Sequence, residues 1–237
     1  MEKFNKDELH RYSRHFMLDD ICVNGQFKFK KAKVLVIGAG GLGCPVIQYL
    51  AAAGVGTLGI VDFDTIEIHN LHRQILYGTA DVGKAKVQVA AEKVAASNPH
   101  VNCVTYTIKL DENNAEKIIE RYDLVIDGTD NFAARYLVND VCMALNKPVV
   151  YGSILNYEAQ LAVFNYKNGK NLRDIYPEPP HASDSPSCSL NGVLGIVPGL
   201  LGLYMVNVAL QVILGSYRQK GLMVLDFKNF DVLKLNF

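Results

Sequence analysis

The 237-residue sequence has no pair of cysteines at C-x-x-C spacing and no excess of either charge. Lys plus Arg and Asp plus Glu both number 24, so no global field draws the chain to nucleic acid or to an anionic membrane surface. Any charged partner has to be met locally. The five cysteines (Cys22, Cys44, Cys103, Cys142 and Cys188) are odd in number, and no basic-plus-apolar leader precedes the first charged residues. That combination excludes a disulfide scaffold and leads us to expect a reduced, cytoplasmic protein. The six histidines lack ligand spacing: His69 and His72 are three apart but flank a segment with phosphate-binding chemistry. Internal repeats and low-complexity tracts are also missing. The one long apolar run, residues 193–214, is long enough to span a bilayer, but Pro198, three glycines, Asn207 and Gln211 interrupt it. We read it as a buried helix shared with a subunit interface rather than a membrane span.

What is present begins with a glycine-rich turn. Val34-Leu35-Val36-Ile37 feeds Gly38-Ala39-Gly40-Gly41-Leu42-Gly43, an apolar strand running into a phosphate-binding loop. Gly38 allows the tight turn, Gly40 lets a phosphate approach the backbone, and Gly43 lets the following helix pack closely on the strand. Alone, the pattern serves NAD(P) and flavin enzymes as well as other nucleotide binders. β-branched strand candidates at 33–38, 58–62, 101–108, 123–127 and 148–152 alternate with helical patterns at 42–53, 84–97, 115–121 and 132–146. Such alternation predicts an α/β fold, a Rossmann-like doubly wound, mostly parallel sheet. Beyond residue 150 the pattern changes to hairpin-like strands at 158–166, 221–227 and 232–236, predicting a C-terminal antiparallel extension. One domain spanning 1–237, with an N-terminal helical arm at 1–31, accommodates the whole chain. The segment 167–189, with Pro177, Pro179, Pro180 and Pro186, reads as a mobile crossover over the site.

In such a sheet, ligands sit beyond the carboxyl ends of the strands. Asp62 falls there, nineteen residues after Gly43, where an acid can bind ribose hydroxyls of NAD or ATP alike. The residues that follow, Asp62-Phe63-Asp64 and Asn70-Leu71-His72-Arg73-Gln74, place a guanidinium and neutral donors beside the ribose acid. Hydride transfer has no use for them there, whereas a triphosphate does. Lys86, in Val82-Gly83-Lys84-Ala85-Lys86, adds a second cation at a helix start. Asp127-Gly128-Thr129-Asp130-Asn131 then brings a carboxylate suited to Mg²⁺ beside phosphate oxygens.

Together with Arg11-Tyr12-Ser13-Arg14, these segments in this order resemble the MoeB/ThiF family, bacterial relatives of ubiquitin-activating enzymes. The resemblance covers nearly the whole chain. It implies an ATP- and Mg²⁺-dependent adenylyltransferase that activates the C-terminal glycine of a ubiquitin-like sulfur-carrier protein with a Gly-Gly tail, in molybdopterin or thiamine biosynthesis. By the same resemblance Gly38, Gly40, Gly41 and Gly43 cradle the nucleotide, with Gly41 against it. Asp62, with Asp64 beside it, holds the ribose. Asn70, Arg73, Gln74 and Lys86 bind phosphates, and Asp130 holds Mg²⁺. Arg14 reaches the phosphates of the neighbouring subunit of a homodimer. Cys188 aligns with a cysteine that forms a covalent link to the carrier in some members. Many members bind zinc through two C-x-x-C pairs; Asn171-Leu172-Arg173-Asp174 stands in place of the first, so no zinc is expected. The pattern resembles a zinc-free branch often fused to a rhodanese domain, which makes a separate sulfur donor, of rhodanese or cysteine desulfurase type, the expected partner. Two other readings stay open at this stage: a non-catalytic carrier-binding module of the same fold, and an NAD-dependent oxidoreductase.

Overall fold

The structure is a computed structural model that describes residues 3–180, 192–218 and 221–236. Helices α1 (Lys6–Arg11) and α2 (Cys22–Lys31) form an arm ahead of β1 (Lys33–Ile37). There follow α3 (Gly43–Ala53), β2 (Thr57–Val61), α4 (Lys86–Ser97), β3 (Asn102–Tyr106), α5 (Ala115–Ile119), β4 (Leu124–Asp127), α6 (Phe132–Ala144) and β5 (Val149–Leu155). The remainder is β6 (Glu158–Phe164), α7 (Ile196–Leu214), β7 (Leu222–Asp226) and β8 (Asp231–Leu235). One sheet of eight strands runs in the order β3-β2-β1-β4-β5-β6-β7-β8. The first five strands in that order are parallel and the last three add in antiparallel fashion, as the sequence pattern predicts.

Alternation along each strand divides the interior between the two faces of the sheet. Val34, Val36, Leu58, Ile60, Leu124 and Ile126 pack toward α3, α4 and α7. Leu35, Ile37, Val61 and Val125 pack toward α5 and α6. Each fully buried aliphatic side chain here stabilises the fold by about 1.5–3 kcal/mol. The central strands are apolar on both faces because helices cover both.

The apolar run forms α7, which is long and apolar enough to cross a membrane, and about half of it is buried inside the protein, with Leu201, Met205 and Ala209 against the sheet. Its close approach to α3 depends on Gly202, where a Cβ would stand 2.8 Å from the Leu42 carbonyl oxygen and 2.6 Å from Pro45. The strand order reverses between β1 and β4, since β1 hydrogen-bonds β2 on one side and β4 on the other. That reversal opens a crevice at the carboxyl ends of the two strands.

The segment after β6 corrects the expectation of a mobile crossover for its first part. Residues 171–178 are docked on α6: Asn139 Oδ1 accepts from Leu172 N at 2.8 Å, and Tyr136 Oη donates to the carbonyls of Tyr176 and Glu178, both at 2.9 Å. Arg173 meets Asp140 through two parallel bonds of 2.8 Å. Proline interrupts regular structure there, but side chains of α6 supply the missing hydrogen bonds. The following part of that segment, including Cys188, lies outside the described residues.

Candidate active site

The crevice is built by backbone first. Gly38 leaves β1 with φ of +93°, and a Cβ there would stand 2.7 Å from the Gly128 carbonyl oxygen. Gly43 faces the Gly38 carbonyl so closely that any side chain would collide with it. Glycine is therefore required at both positions. Gly128 N donates to Ile37 O at 2.8 Å, tying the turn after β4 to the turn after β1. Among the described residues, the amides of Gly40, Gly41 and Leu42 find no protein acceptor. They stand at the start of α3, where the helix dipole favours an anion.

Asp62 ends β2 with both carboxylate oxygens engaged: Oδ2 accepts from Ala39 N at 2.7 Å and Oδ1 from Asp64 N at 2.8 Å. Burial pushes its carboxyl above the ordinary range, against the opposing pull of the Lys86 ammonium. It thus braces the glycine loop. Lys86 opens α4 with a side chain only 6 % exposed, its Nζ 2.7 Å from Asp64 Oδ2. The Asp64 carboxylate is 48 % exposed, so an incoming phosphate can compete for the ammonium while water takes over Asp64.

Asn70 and Gln74 are both buried, Gln74 beside the loop. Asn70 Oδ1 accepts from Glu67 N at 3.0 Å and so holds the turn that carries Arg73. Gln74 Oε1 is buried without a partner, and its amide group stands 3.7 Å from where a Cβ on Gly40 would lie. An unpartnered buried polar atom beside an open set of backbone donors fits a polar ligand seated between them. Arg73 is turned back on its own segment, Nη1 donating to His69 O at 3.1 Å and lying 2.8 Å from His72 Nε2. Its Cγ nevertheless lies 3.5 Å from the position a Cβ on Gly41 would take, so it belongs to the same crevice.

After β4, Asp127 is buried and accepts from Thr129 N at 2.9 Å and Thr129 Oγ1 at 2.6 Å. Burial raises its carboxyl above the usual value, with Arg135 pulling the other way. Asn131 caps α6 through Ala134 N, and Asp130 is left exposed between them. Among the described residues no group of three or more His, Cys, Asp or Glu side chains can hold a metal ion. A lone exposed carboxylate still suits Mg²⁺, which keeps water and substrate phosphate oxygens in its shell.

Arg14 does not join this group. Its neighbour Tyr12 packs on Gly54, the left-handed cap at the far end of α3 from the glycine loop. Eleven helical residues separate those ends, about 16 Å. Arg14 is exposed, and among the described residues its Nη1 meets Met17 Sδ at 3.8 Å. Cys44 is fully buried and its thiol is pushed up to about 12 by burial, so it is packing rather than chemistry.

Three contributors are missed by the sequence reading. Tyr77 Oη donates to Ala39 O at 2.9 Å. The start of α7 closes one wall, with Pro198 3.2 Å from the Cβ position of Gly41 and Gly195 against the His72 carbonyl. Arg135 lies buried beneath the turn that carries Asp130.

The sequence matches the ThiF family over residues 12–237. The chain belongs to the ThiF family. Among the curated relatives that this ThiF chain resembles is the sulfur carrier protein adenylyltransferase of Thermus thermophilus, 45 % identical over 90 % of this chain and 80 % of that protein. Another is the adenylyltransferase and sulfurtransferase MOCS3 of Culex quinquefasciatus, 46 % identical over 90 % of this chain and 49 % of the relative. The chain spans about half the length of several such relatives. Among solved structures, E. coli MccB crystallised with ATP shares the fold at a TM-score of 0.81 and 23 % identity, covering 98 % of this chain and 72 % of that one.

Proposed function

We propose that this ThiF-family chain is an ATP-dependent adenylyltransferase for the C-terminal glycine carboxylate of a ubiquitin-like sulfur-carrier protein in the cytoplasm. The observation that carries the reading is the convergence, at one switch point, of free loop amides and the Lys86 ammonium, with the buried Gln74 amide nitrogen beside Gly40. The relatives named for adenylyl transfer support it. The carrier's carboxylate oxygen attacks the α-phosphorus of ATP, the bond from that phosphorus to the bridging oxygen of the β-phosphate breaks, and pyrophosphate leaves with the electron pair. An acyl-adenylate remains, ready to accept sulfur from a separate donor of rhodanese or cysteine desulfurase type.

Little covalent chemistry falls to the protein, which positions the reactants and neutralises charge. The amides of Gly40, Gly41 and Leu42 and the Lys86 ammonium face the phosphates, Asp62 the ribose, and Arg73 swings from His69 to the phosphate chain. Asp130 would hold Mg²⁺, which when bound neutralises phosphate charge. Arg14 comes from the other protomer of a homodimer. The fate of Cys188 and the choice between a molybdopterin-type and a thiamine-type carrier belong to the same reading.

The test is ATP–pyrophosphate exchange with both carrier types in parallel and an Asp130→Ala control. Exchange that needs one carrier and is cut by about 10²-fold or more in the control supports the proposal and names the pathway. Nucleotide binding without exchange on either carrier would leave only a carrier-binding module.

A further inference from the structure

The turn that presents Asp130 is anchored by a buried cation that makes no direct ion pair among the described residues, although it lies close enough to Asp127 to pull on that carboxyl. Arg135, on α6, is 6 % exposed. Its Nη2 donates to the Thr129 carbonyl at 3.0 Å and reaches Gly152 O at 3.4 Å, while Nη1 donates to Ser153 Oγ at 2.6 Å. The guanidinium carbon lies 5.6 Å from the centroid of the Phe132 ring and 5.4 Å from that of Tyr151. Nε is buried without a partner. A buried guanidinium spent on two carbonyls and a hydroxyl is costly, because neutral acceptors replace its water only in part. In return it bridges the end of one strand to the middle of its neighbour: Thr129 follows β4, and Gly152 and Ser153 belong to β5. The Thr129 carbonyl it grips belongs to the peptide leading directly into Asp130.

We infer that Arg135 is a positioning residue that fastens the Thr129 carbonyl to β5 and thereby fixes where the Asp130 carboxylate stands. The inference rests on the proposed function only for what Asp130 does there; the anchoring itself is a property of the free protein. Without Arg135, the turn keeps the Asp127 bonds to Thr129 and the Asn131 cap, but among the described residues no other hydrogen bond ties it to β5 beyond the pairing of Asp127 with Tyr151.

The experiment is amide hydrogen exchange on the nucleotide-free full chain, comparing wild type with Arg135→Gln, Arg135→Lys and Ser153→Ala. Pyrophosphate exchange is followed on the same proteins. Arg135→Gln should speed exchange at Gly128 and Thr129 by about tenfold or more, as expected for losing charge-assisted bonds, while amides of β2 and α3 keep their protection. The exchange kcat should fall by about tenfold or more with the KM for ATP within about twofold of wild type. Arg135→Lys should restore part of both effects. A folded Arg135→Gln whose turn is protected as in wild type overturns the inference, and so does a loss of protection spread evenly through the sheet. Should Arg135→Gln fail to fold, Ser153→Ala decides: faster exchange confined to the turn supports the inference and unchanged protection overturns it. Wild-type protein without pyrophosphate exchange would sink the adenylation reading, while the amide protection still judges Arg135.

Discussion

At the residue scale, the side chains of the candidate site are held by one another and by nearby backbone. Lys86 is the clearest case, a nearly buried ammonium whose salt-bridge partner Asp64 is half in water. Replacing it with methionine keeps the aliphatic stem in place and removes the charge. Lys86→Met should therefore lower pyrophosphate exchange by about 10²–10³-fold while the urea midpoint shifts by less than about 1 kcal/mol equivalent. A large stability loss with proportionate activity loss would instead make Lys86 a structural ion-pair member. Where Lys86, Asp62 and the four glycines stand is legible from sequence because their places follow from local geometry: strand end, tight turn, helix start. Arg135 is legible only in part. It shares a helical face with Val138, Asn139 and Cys142, all buried, so a cation stands on an inward-facing stripe, but which carbonyls it grips depends on β5. The Pro198 wall has no signal at all, since α7 enters from more than 150 residues downstream of the loop it covers.

At the scale of elements, strands and helices of the parallel half follow from periodicity, and their ends deviate where hydrogen bonding stops before propensity does. The 101–108 run, for example, pairs with β2 only from Asn102 to Tyr106. The segment after β6 is the element that sequence misjudges. Prolines and polar residues announce a loop, but not that α6 carries Asn139, Asp140 and Tyr136 at the spacing needed to dock it. The Arg173–Asp140 pair makes this docking depend on pH. The hydrogen bonds from Arg173 hold the Asp140 carboxyl below its ordinary value of 3.8. Because the folded value is depressed, the pair contributes stability above the unfolded value and loses it as pH falls through the folded one. Asp140→Asn should thus lower the melting temperature slightly at pH 7, with a gap from wild type that closes as the pH drops below 3.8. No gap at pH 7 would mean that the docking relies on the Asn139 and Tyr136 bonds alone, and a gap that persists in acid would mean that the effect of the substitution does not come from the carboxylate's charge.

At the scale of the whole molecule, the arm and the candidate site lie at opposite ends of α3. Tyr12 is bound there by Asn98 Nδ2 at 2.8 Å, and Gln26 donates to the Ala53 carbonyl at 2.8 Å, so the arm is fixed to the far end of the helix. Arg14 cannot reach its own glycine loop without breaking those bonds. If Arg14 acts on the phosphates, it acts on those of another copy, and a symmetric dimer would then hold two shared sites. Mixing variants separates this from a surface role. Arg14→Ala and Lys86→Met homodimers should each be nearly inactive. A mixed dimer contains one site with both wild-type residues and one with neither. Random exchange of protomers from equal amounts of the two variants should therefore restore about a quarter of wild-type pyrophosphate exchange. Recovery that fails to appear after verified subunit exchange would place Arg14 outside the partner's site. Arg14→Ala that is fully active by itself would make the arginine a surface residue of the arm.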